Sequence, residues 1–401
     1  MNPFQLRLYS EKTNIYFMKN LFLTLLIITS VSLLNAQTKP PRKVQLVLLI
    51  DASNSMDGLI EQAKSRLWAI VNEASSLKFN GVAPVLEIAV YDYGNSGIND
   101  KNYVRLQTNF TSDLDVVSEK LFALRTNGGE EYCGAVIEKS LQELLWSRDP
   151  NDLLLIYIAG NEPFNQGPVN YKSICTIAKN RGVFINTIYC GEYQQGVKES
   201  WKDGATCSNG EYFNINSDAK IAAIPTPYDD QIIQLNKSLN TTYMWYGEQG
   251  VMKKSNQGIE DKNALNLGSN IASERALVKS KSAYNNASWD VVDAFQADST
   301  KILELKDDQL PEELQGMGPE EKATLINAKT AERARIQAEI QELGKQREVF
   351  ISKINRNPAN GEVKDDFGSA VNKSMKEKEV KTIFCNLYSI CILSVFKCAS
   401  P

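Results

Sequence analysis

The sequence predicts an α/β protein with a doubly wound, mainly parallel sheet, followed by an α-helical region. Short apolar strands alternate with amphipathic helices from Lys43 to about Ile221. Two strands, "VQLVLLI" and "DLLLIYIAG", are apolar along almost their whole length, which is typical of strands buried on both faces. The alternation ends near Pro225, after which the pattern is helical. Strands that alternate with helices in this way form a parallel sheet covered by helices.

The individual elements follow from the spacing of their apolar residues. The segment after the first strand, "GLIEQAKSRLWAIVNEASSL", repeats apolar residues every three or four positions, as a helix does: Leu59, Ala63, Leu67, Ile70 and Ala74. "VLEIAVYDYG" alternates apolar and polar residues, which indicates a strand. Then follow two helices, "DLDVVSEKLFAL" and "GAVIEKSLQELLW", the strand "DLLLIYIAG", the helix "VNYKSICTIAKNRG", and the strands "VFINTIYCG" and "GEYFNI".

Composition excludes several classes of function. At 401 residues the chain has room for two or three domains, and a net charge of −4 gives no reason to expect a nucleic-acid partner. The chain has no histidine, which excludes Ser-His-Asp and Cys-His catalysis and histidine-bound zinc. It also lacks a phosphate-binding glycine loop with its lysine. These features favour a protein that is not an enzyme.

The N-terminus predicts export. From Met18 a lysine precedes an apolar run that ends in small residues at Ala36, so residues 18–36 have the layout of a secretory signal peptide. Residues 1–17 lie upstream of this complete signal, which suggests that Met18 is the true start. An uncleaved membrane anchor is the alternative. We therefore expect a bacterial periplasmic, cell-envelope or secreted protein.

Four cysteines lie in the main domain: Cys133, Cys175, Cys190 and Cys207. In an exported protein a disulfide between Cys190 and Cys207 is the first expectation, because both fall near strand ends. Buried free thiols are the alternative.

Three oxygen-bearing side chains end the first strand: Asp51, Ser53 and Ser55 in "DASNSM". The loop after a central strand is where doubly wound sheets bind ligands. Alternate residues of a tight loop can direct their oxygens toward one point, and hard divalent cations prefer oxygen ligands. The alternative is that these residues cap the following helix.

This D-x-S-x-S motif resembles the metal-ion-dependent adhesion site (MIDAS) of von Willebrand factor A (vWA) domains, whose fold is Rossmann-like. The resemblance covers residues 43–222. It implies a bound Mg²⁺, or Mn²⁺ or Ca²⁺, whose coordination is completed by an acidic residue of a protein partner. The later helical part resembles an extension found in a group of exported bacterial vWA proteins.

The other two metal loops depart from the family pattern. In "NGGEEYCGAV", Glu130 or Glu131 would supply the second-loop ligand, and the register between them stays open. In "IAGNEPFNQG", Asn161 or Gly160 stands where the family has aspartate, with Glu162 beside it. The resemblance therefore leaves three outcomes open: Glu162 substitutes for the aspartate as a ligand, the metal binds weakly, or no metal binds. Asp92, at another strand end, could also approach the site.

The remaining chain is divided by composition. Residues 223–270 read as a short helix and a linker, 271–375 as an α-helical, coiled-coil-like region, and 376–401 as an atypical apolar, cysteine-rich tail. The long helix carries an apolar seam at Ile336, Ile340, Leu343, Phe350 and Ile354. This seam could pair with a second copy of the chain or pack on residues 271–305. The sequence allows membrane contact only through an uncleaved signal or the tail.

Together these observations predict a non-catalytic, metal-dependent protein-binding module of the cell envelope. The alternatives are a metal-free structural scaffold of an envelope complex and, less favoured, a metal-dependent hydrolase that uses the same acidic residues.

Overall fold

The structure is a computed structural model, and it describes residues 41–215, 224–355 and 370–378. The predicted signal peptide (18–36), the segment 1–17 and the tail from residue 379 lie outside the described residues. Residues 376–378, which the sequence assigned to the tail, belong to the helical segment 370–378.

A six-stranded sheet forms the centre of the first domain, in the order β3-β2-β1-β4-β5-β6. All neighbouring strands are parallel except β2 and β3, which are antiparallel. The strands are β1 (Lys43–Asp51), β2 (Val85–Tyr93), β3 (Val104–Thr111), β4 (Leu153–Gly160), β5 (Val183–Cys190) and β6 (Tyr212–Ile215). The predicted fold class, a mainly parallel doubly wound sheet followed by a helical region, is confirmed.

The register brings the carboxyl ends of the central strands together. Asp51 of β1 pairs with Tyr93 of β2, and Ile50 pairs with Ala159 of β4. β1 and β4 are central strands that are buried on both faces, so polar side chains can reach solvent only where these strands end. The loops after β1, β2 and β4 therefore meet at one edge of the sheet.

Helices cover both faces of the sheet. α1 (Ile60–Ala74) and α2 (Leu114–Ala123) pack on one face with an apolar cluster that includes Leu67 and Trp68. α3 (Cys133–Glu143), α4 (Tyr171–Asn180) and α6 (Trp201–Thr206) pack on the other, and the short α5 (Tyr193–Lys198) follows β5. Asp113 caps α2 by accepting hydrogen bonds from the backbone N–H groups of Asp115 and Val116, at 3.1 and 3.2 Å.

The helical region begins with α7 (Asp229–Asn240), α8 (Gly250–Leu267) and α9 (Ser269–Lys279). It continues with α10 (Val291–Ala297), α11 (Ser299–Leu303), the long α12 (Pro319–Asn355) and the segment 370–378. Within the described ranges, no helix combines the length and the apolar character that a membrane crossing requires.

The predicted linker over residues 247–270 is wrong, because most of that segment is the 18-residue helix α8. Its Gly, Asn and Ser residues have low helix propensity, but tertiary contacts outweigh local preference. Gln257 and Glu260 are buried, and Glu260 accepts a hydrogen bond of 2.7 Å from the Ser118 hydroxyl of α2. Contact with the first domain therefore stabilises α8.

The seam of α12 packs within the chain. Ile336, Ile340 and Leu343 belong to the same buried cluster as residues of α7 and α9. The side-chain amides of Gln337 and Gln341 donate to the carbonyls that end α9, at 3.3 and 2.5 Å. Of the two arrangements that the sequence allowed, packing on the chain's own helices is the one observed.

A buried ionic cluster joins α8 and α9 to α2 of the first domain. Arg275 donates to Asp115 at 2.7 Å and to Asp261 at 2.6 Å, and its side chain is 2% exposed. Lys279 donates to Asp261 at 2.7 Å, and the Tyr284 hydroxyl donates to Asp115 at 2.6 Å. We call these five residues the Arg275 cluster.

The expected Cys190–Cys207 disulfide is wrong. Cys207 is bonded to Cys175, and Cys133 and Cys190 are buried free thiols. Cys190 packs in the apolar cluster on one face of the sheet, whereas Cys175 and Cys207 pack on the opposite face, so the sheet separates Cys190 from Cys207. Both residues do lie near strand ends in the sequence, but sequence position does not say on which face a side chain falls.

Candidate functional site

The loop after β1 turns Asp51 and Ser53 inward. Asp51 is fully buried, and its Oδ1 accepts a hydrogen bond of 2.8 Å from the Ser53 backbone N–H. Its other oxygen, Oδ2, is buried and accepts no hydrogen bond from the described residues. A buried carboxylate oxygen without a partner is costly, so it marks a place where a cation would be stabilising.

The hydroxyls of this loop do not cap a helix. The Ser53 and Ser55 hydroxyl oxygens lie 3.0 Å apart. Ser53 precedes a short 3₁₀ turn, Asn54–Met56, and makes no side-chain capping hydrogen bond. α1 begins only at Ile60. The capping alternative therefore lacks the contact it requires.

The second loop brings Glu131, and not Glu130, to Asp51. A Cβ built on Gly94 would lie 2.9 Å from Asp51 Oδ1, 3.1 Å from Glu131 Cγ and 3.4 Å from Ser53 Cβ. The three side chains thus surround one glycine. Glu130 is exposed and accepts a hydrogen bond of 3.4 Å from the Tyr132 hydroxyl.

Backbone contacts set this register. The Asn127 N–H donates to the Ala52 carbonyl at 2.9 Å, and the Ser96 N–H donates to the Gly128 carbonyl. A Cβ at residue 129 would overlap the Gly94 carbonyl. Only glycine permits so close an approach of two backbones, so Gly129 holds the second loop against the end of β2.

Replacing Gly129 with alanine is expected to destabilise the protein by about 1–3 kcal/mol, because the methyl group must push the two loops apart. Gly128→Ala is the matched control, since a Cβ there would come no closer than 3.4 Å, to Asn54 Nδ2. Urea unfolding measures both variants. Equal free energies of unfolding for the two would show that the close approach is not required.

The third loop contributes an amide and a nearby carboxylate. Asn161 is tied to Ser55: its Oδ1 accepts from the Ser55 hydroxyl at 2.9 Å, and its Nδ2 donates to the Ser55 carbonyl at 2.9 Å. Gly160 has no side chain to offer, and a Cβ there would lie 3.1 Å from Asp51 Oδ2. Glu162 is half-buried, and its charge acts on both Asp51 and Glu131.

Asp92 does not join the site. It is buried in a two-pronged contact with Arg105, at 3.1 and 2.6 Å, and accepts a hydrogen bond of 2.8 Å from Gln107. Both partners lie on the antiparallel strand β3, so Asp92 helps to hold β3 against β2.

The carboxylates at this edge hold their protons unusually tightly. Burial raises the pKa of Asp51 to about 7, opposed by hydrogen bonds from Ser53 and assisted by the charges of Glu131 and Glu162. Burial also raises the pKa of Glu131, and the charge of Glu162 adds to this. A divalent cation would relieve this repulsion.

These residues fit a hard cation held by few protein groups. The described residues contain no group of three or more histidine, cysteine, aspartate or glutamate side chains arranged to hold a metal ion. A site here rests on a mixed set of carboxylates and hydroxyls: Asp51, Ser53, Ser55 and Glu131. Oxygen donors with room for water or a partner's oxygen suit Mg²⁺.

Three features together define the fold: the strand order of the sheet, the antiparallel strand β3 and the oxygen-rich loop after β1. The first domain has the fold of a vWA domain.

Solved structures with this fold match the chain at low similarity. A mussel byssus protein, proximal thread matrix protein 1 with a zinc-occupied MIDAS motif, is 12% identical, with a TM-score of 0.35. The match covers 45% of this chain and 43% of that one, so this chain spans less than half of the mussel protein. The conserved hypothetical protein BatB from Bacteroides thetaiotaomicron is 14% identical over 43% of this chain and 90% of that one, with a TM-score of 0.34. The SpRpn10 VWA domain is 15% identical over 48% and 95%, with a TM-score of 0.34.

No protein-family model matches the chain. No curated protein matches it either.

Two residues that shape the site were not predicted from the sequence. Gly94 and Gly129 carry no chemistry, yet the missing side chain of Gly94 makes room for Asp51 and Glu131, and that of Gly129 makes room for the Gly94 carbonyl. The signal was present in "DYG" and "NGG", but a glycine in a loop usually indicates only a turn.

Proposed function

We propose that this protein is a non-catalytic, divalent-metal-dependent binding module for another protein. The observation that carries the proposal is the unpartnered, buried Oδ2 of Asp51. The other oxygen of this carboxylate, Oδ1, faces the same glycine as Glu131 and Ser53, and the Ser53 hydroxyl lies 3.0 Å from that of Ser55. A protein that keeps such a group without a cation must tolerate a cost on the order of 1–3 kcal/mol.

Asp51, Ser53, Ser55 and Glu131 would hold the ion, and Asn161 orients Ser55 through their two hydrogen bonds. Glu162 adds negative charge beside them. The bound ion would supply a positive charge with an open position for a carboxylate of the partner. Mg²⁺ is the proposed ion, with Mn²⁺ and Ca²⁺ as alternatives.

The described residues favour binding over catalysis. The free thiols of Cys133 and Cys190 are fully buried, and burial raises their pKa values well above the ordinary range, so neither is a ready nucleophile. The chain has no histidine to act as a base. The less favoured alternative is a metal-dependent hydrolase, in which the ion and one of these carboxylates would activate water.

The proposal places the protein outside the cytoplasm, in the periplasm, the cell envelope or the medium. The Cys175–Cys207 disulfide supports this, since disulfides persist mainly in oxidising compartments.

Calorimetric titration of Mg²⁺, Mn²⁺ and Ca²⁺ into the purified chain tests the proposal. We expect binding by the wild type and at least a tenfold loss in the double variant Asp51→Ala, Ser53→Ala. The control is Ser238→Ala, which removes an exposed hydroxyl from α7 and should bind as the wild type does.

One feature favours a second function, a metal-free scaffold: the third loop has Gly160 next to Asp51 Oδ2, where a carboxylate would strengthen the site. Absence of binding by the wild type at millimolar metal would overturn the first proposal and leave the scaffold. The helical region would then be its interaction surface.

A further inference from the structure

A polar cleft of about 370 Å³ opens beside the metal edge. It contains two arginines, three side-chain amides and one hydroxyl group. Its principal lining residues are Asn95, Arg105, Gln107, Arg125, Thr126 and Asn127. We call it the arginine cleft. None of these residues belongs to the proposed metal-binding set.

The arginine cleft and the metal edge are built from the same loops. Asn95 follows Gly94 directly, the glycine that Asp51, Ser53 and Glu131 surround. Asn127 lies four residues before Glu131 and donates its backbone N–H to the Ala52 carbonyl. A ligand bound at the metal edge is therefore within reach of the cleft.

The two arginines differ in how far their charge is compensated. Arg105 is 48% exposed and already faces Asp92. Arg125 is exposed, and among the described residues it donates only to backbone carbonyls, those of Phe122 and Leu124, at 3.0 and 2.7 Å. The amides of Asn95 and Gln107 already donate to the Arg125 carbonyl and to Asp92. Arg125, which has no carboxylate partner among the described residues, and the exposed amide of Asn127 therefore offer a site for an anion.

Negative charge gathers near the third loop. The charge of Glu162 raises the pKa of Asp51, Glu131 and Tyr189, and Glu199 accepts a hydrogen bond of 2.8 Å from the Tyr189 hydroxyl. Glu162 and Glu199 would repel a second negative charge on a ligand held by the metal, whereas the arginine cleft would attract it.

We propose that the partner is an acidic protein segment with two carboxylates, one bound to the metal and a second in the arginine cleft. This inference rests on the proposed function. Two aspartates separated by one to four residues in an extended segment lie about 7–17 Å apart, which spans neighbouring loops. The spacing between the two carboxylates then determines which segments bind.

The probes are synthetic Gly-Ser peptides with one aspartate, or with two aspartates separated by one to four residues, titrated in Mg²⁺ by fluorescence anisotropy. We expect one spacing to bind about tenfold or more tightly than the single aspartate. Arg125→Gln should remove that gain and leave binding of Mg²⁺ and of the one-aspartate peptide unchanged.

Two further variants keep the result interpretable. Asn127→Asp preserves shape, adds a negative charge to the cleft wall, and should also abolish the gain. Arg335→Gln, at an exposed position on α12, is the matched control and should retain it. Equal affinities for all peptides, or a gain that survives both cleft variants, would overturn the inference while the metal-binding proposal stands.

Failure of the metal site would be seen separately. Succinate titrated without metal, followed by NMR, should shift the side-chain resonances of Arg125 and Asn127, and no shift would overturn the inference even if Mg²⁺ fails to bind. Inorganic phosphate that shifts the same resonances, with no advantage for two aspartates, would assign the cleft to a small free anion and overturn the peptide proposal.

Discussion

Replacing Arg275 with methionine is expected to lower the free energy of unfolding by about 3–5 kcal/mol, the cost of leaving a buried charge unpaired. Methionine retains most of the volume of the arginine side chain, so the lost stability results from the missing charge and not from a cavity. Among the described residues, Asp115 would keep only the Tyr284 hydroxyl, whereas Asp261 would keep Lys279 and the amides of Asn236 and Asn240. Burial favours protonation of Asp261, but Lys279 and Arg275 hold its pKa well below the ordinary value.

Urea unfolding of matched variants measures this effect. Arg335→Ala removes an exposed arginine whose contact with Glu339 is 3.4 Å long, and it should change stability by about 0.5 kcal/mol or less. Adding Asp115→Asn to Arg275→Met should recover part of the loss, because the unpaired charge is then gone. A loss in Arg275→Met no larger than in Arg335→Ala would show that the Arg275 cluster does not hold the two regions together.

The variant Asp51→Asn is expected to stabilise the metal-free protein at pH 8 by on the order of 2–4 kcal/mol. The unfolded chain releases the Asp51 proton near its ordinary pKa of 3.8, whereas the folded protein holds it to about 7. The folded state thus binds more protons between these values, and metal-free stability falls as pH rises through this window. Asparagine removes the charge that causes the fall.

Thermal unfolding between pH 4 and pH 8, in EDTA and in Mg²⁺, provides the measurement. Wild type should be stabilised by Mg²⁺ at pH 8 and progressively less below pH 7, where protons compete for Asp51; Asp51→Asn should show neither response. The exposed Asp308 supplies the control, Asp308→Asn, which should behave as wild type. A metal-free Asp51→Asn protein less stable than wild type at pH 8 would show that the buried carboxylate is compensated in another way.

The fold could be predicted because the apolar composition of the strands indicates that they are buried. β1 and β4 are apolar on both faces, which requires a covered parallel sheet. The first metal loop could be predicted for a related reason, since Asp51, Ser53 and Ser55 interrupt an apolar strand where it ends. These are local signals that do not depend on distant residues.

The parts that could not be predicted depend on contacts between distant segments. The choice of Glu131 over Glu130 follows from the approach of Gly129 to Gly94. The helix α8 is stabilised by contact with α2, and its Gly, Asn and Ser residues do not favour a helix. The disulfide partner of Cys207 depends on which face of the sheet each cysteine reaches. In each case the deciding interaction joins residues that the sequence keeps apart.

The Arg275 cluster also bears on modularity. Asp115 lies near the start of α2, and α2 ends just before the segment that carries Arg125 and Glu131. The helical region therefore anchors the helix that leads into the ligand-bearing loop. A fragment that ends at residue 222 would contain every proposed metal ligand, yet it would expose Asp115 and free α2 at one end. The boundary near residue 222 separates two patterns of composition in the sequence. It does not separate two regions that are stable without each other. The first domain therefore depends on the helices that follow it to hold the helix that leads into its ligand-bearing loop.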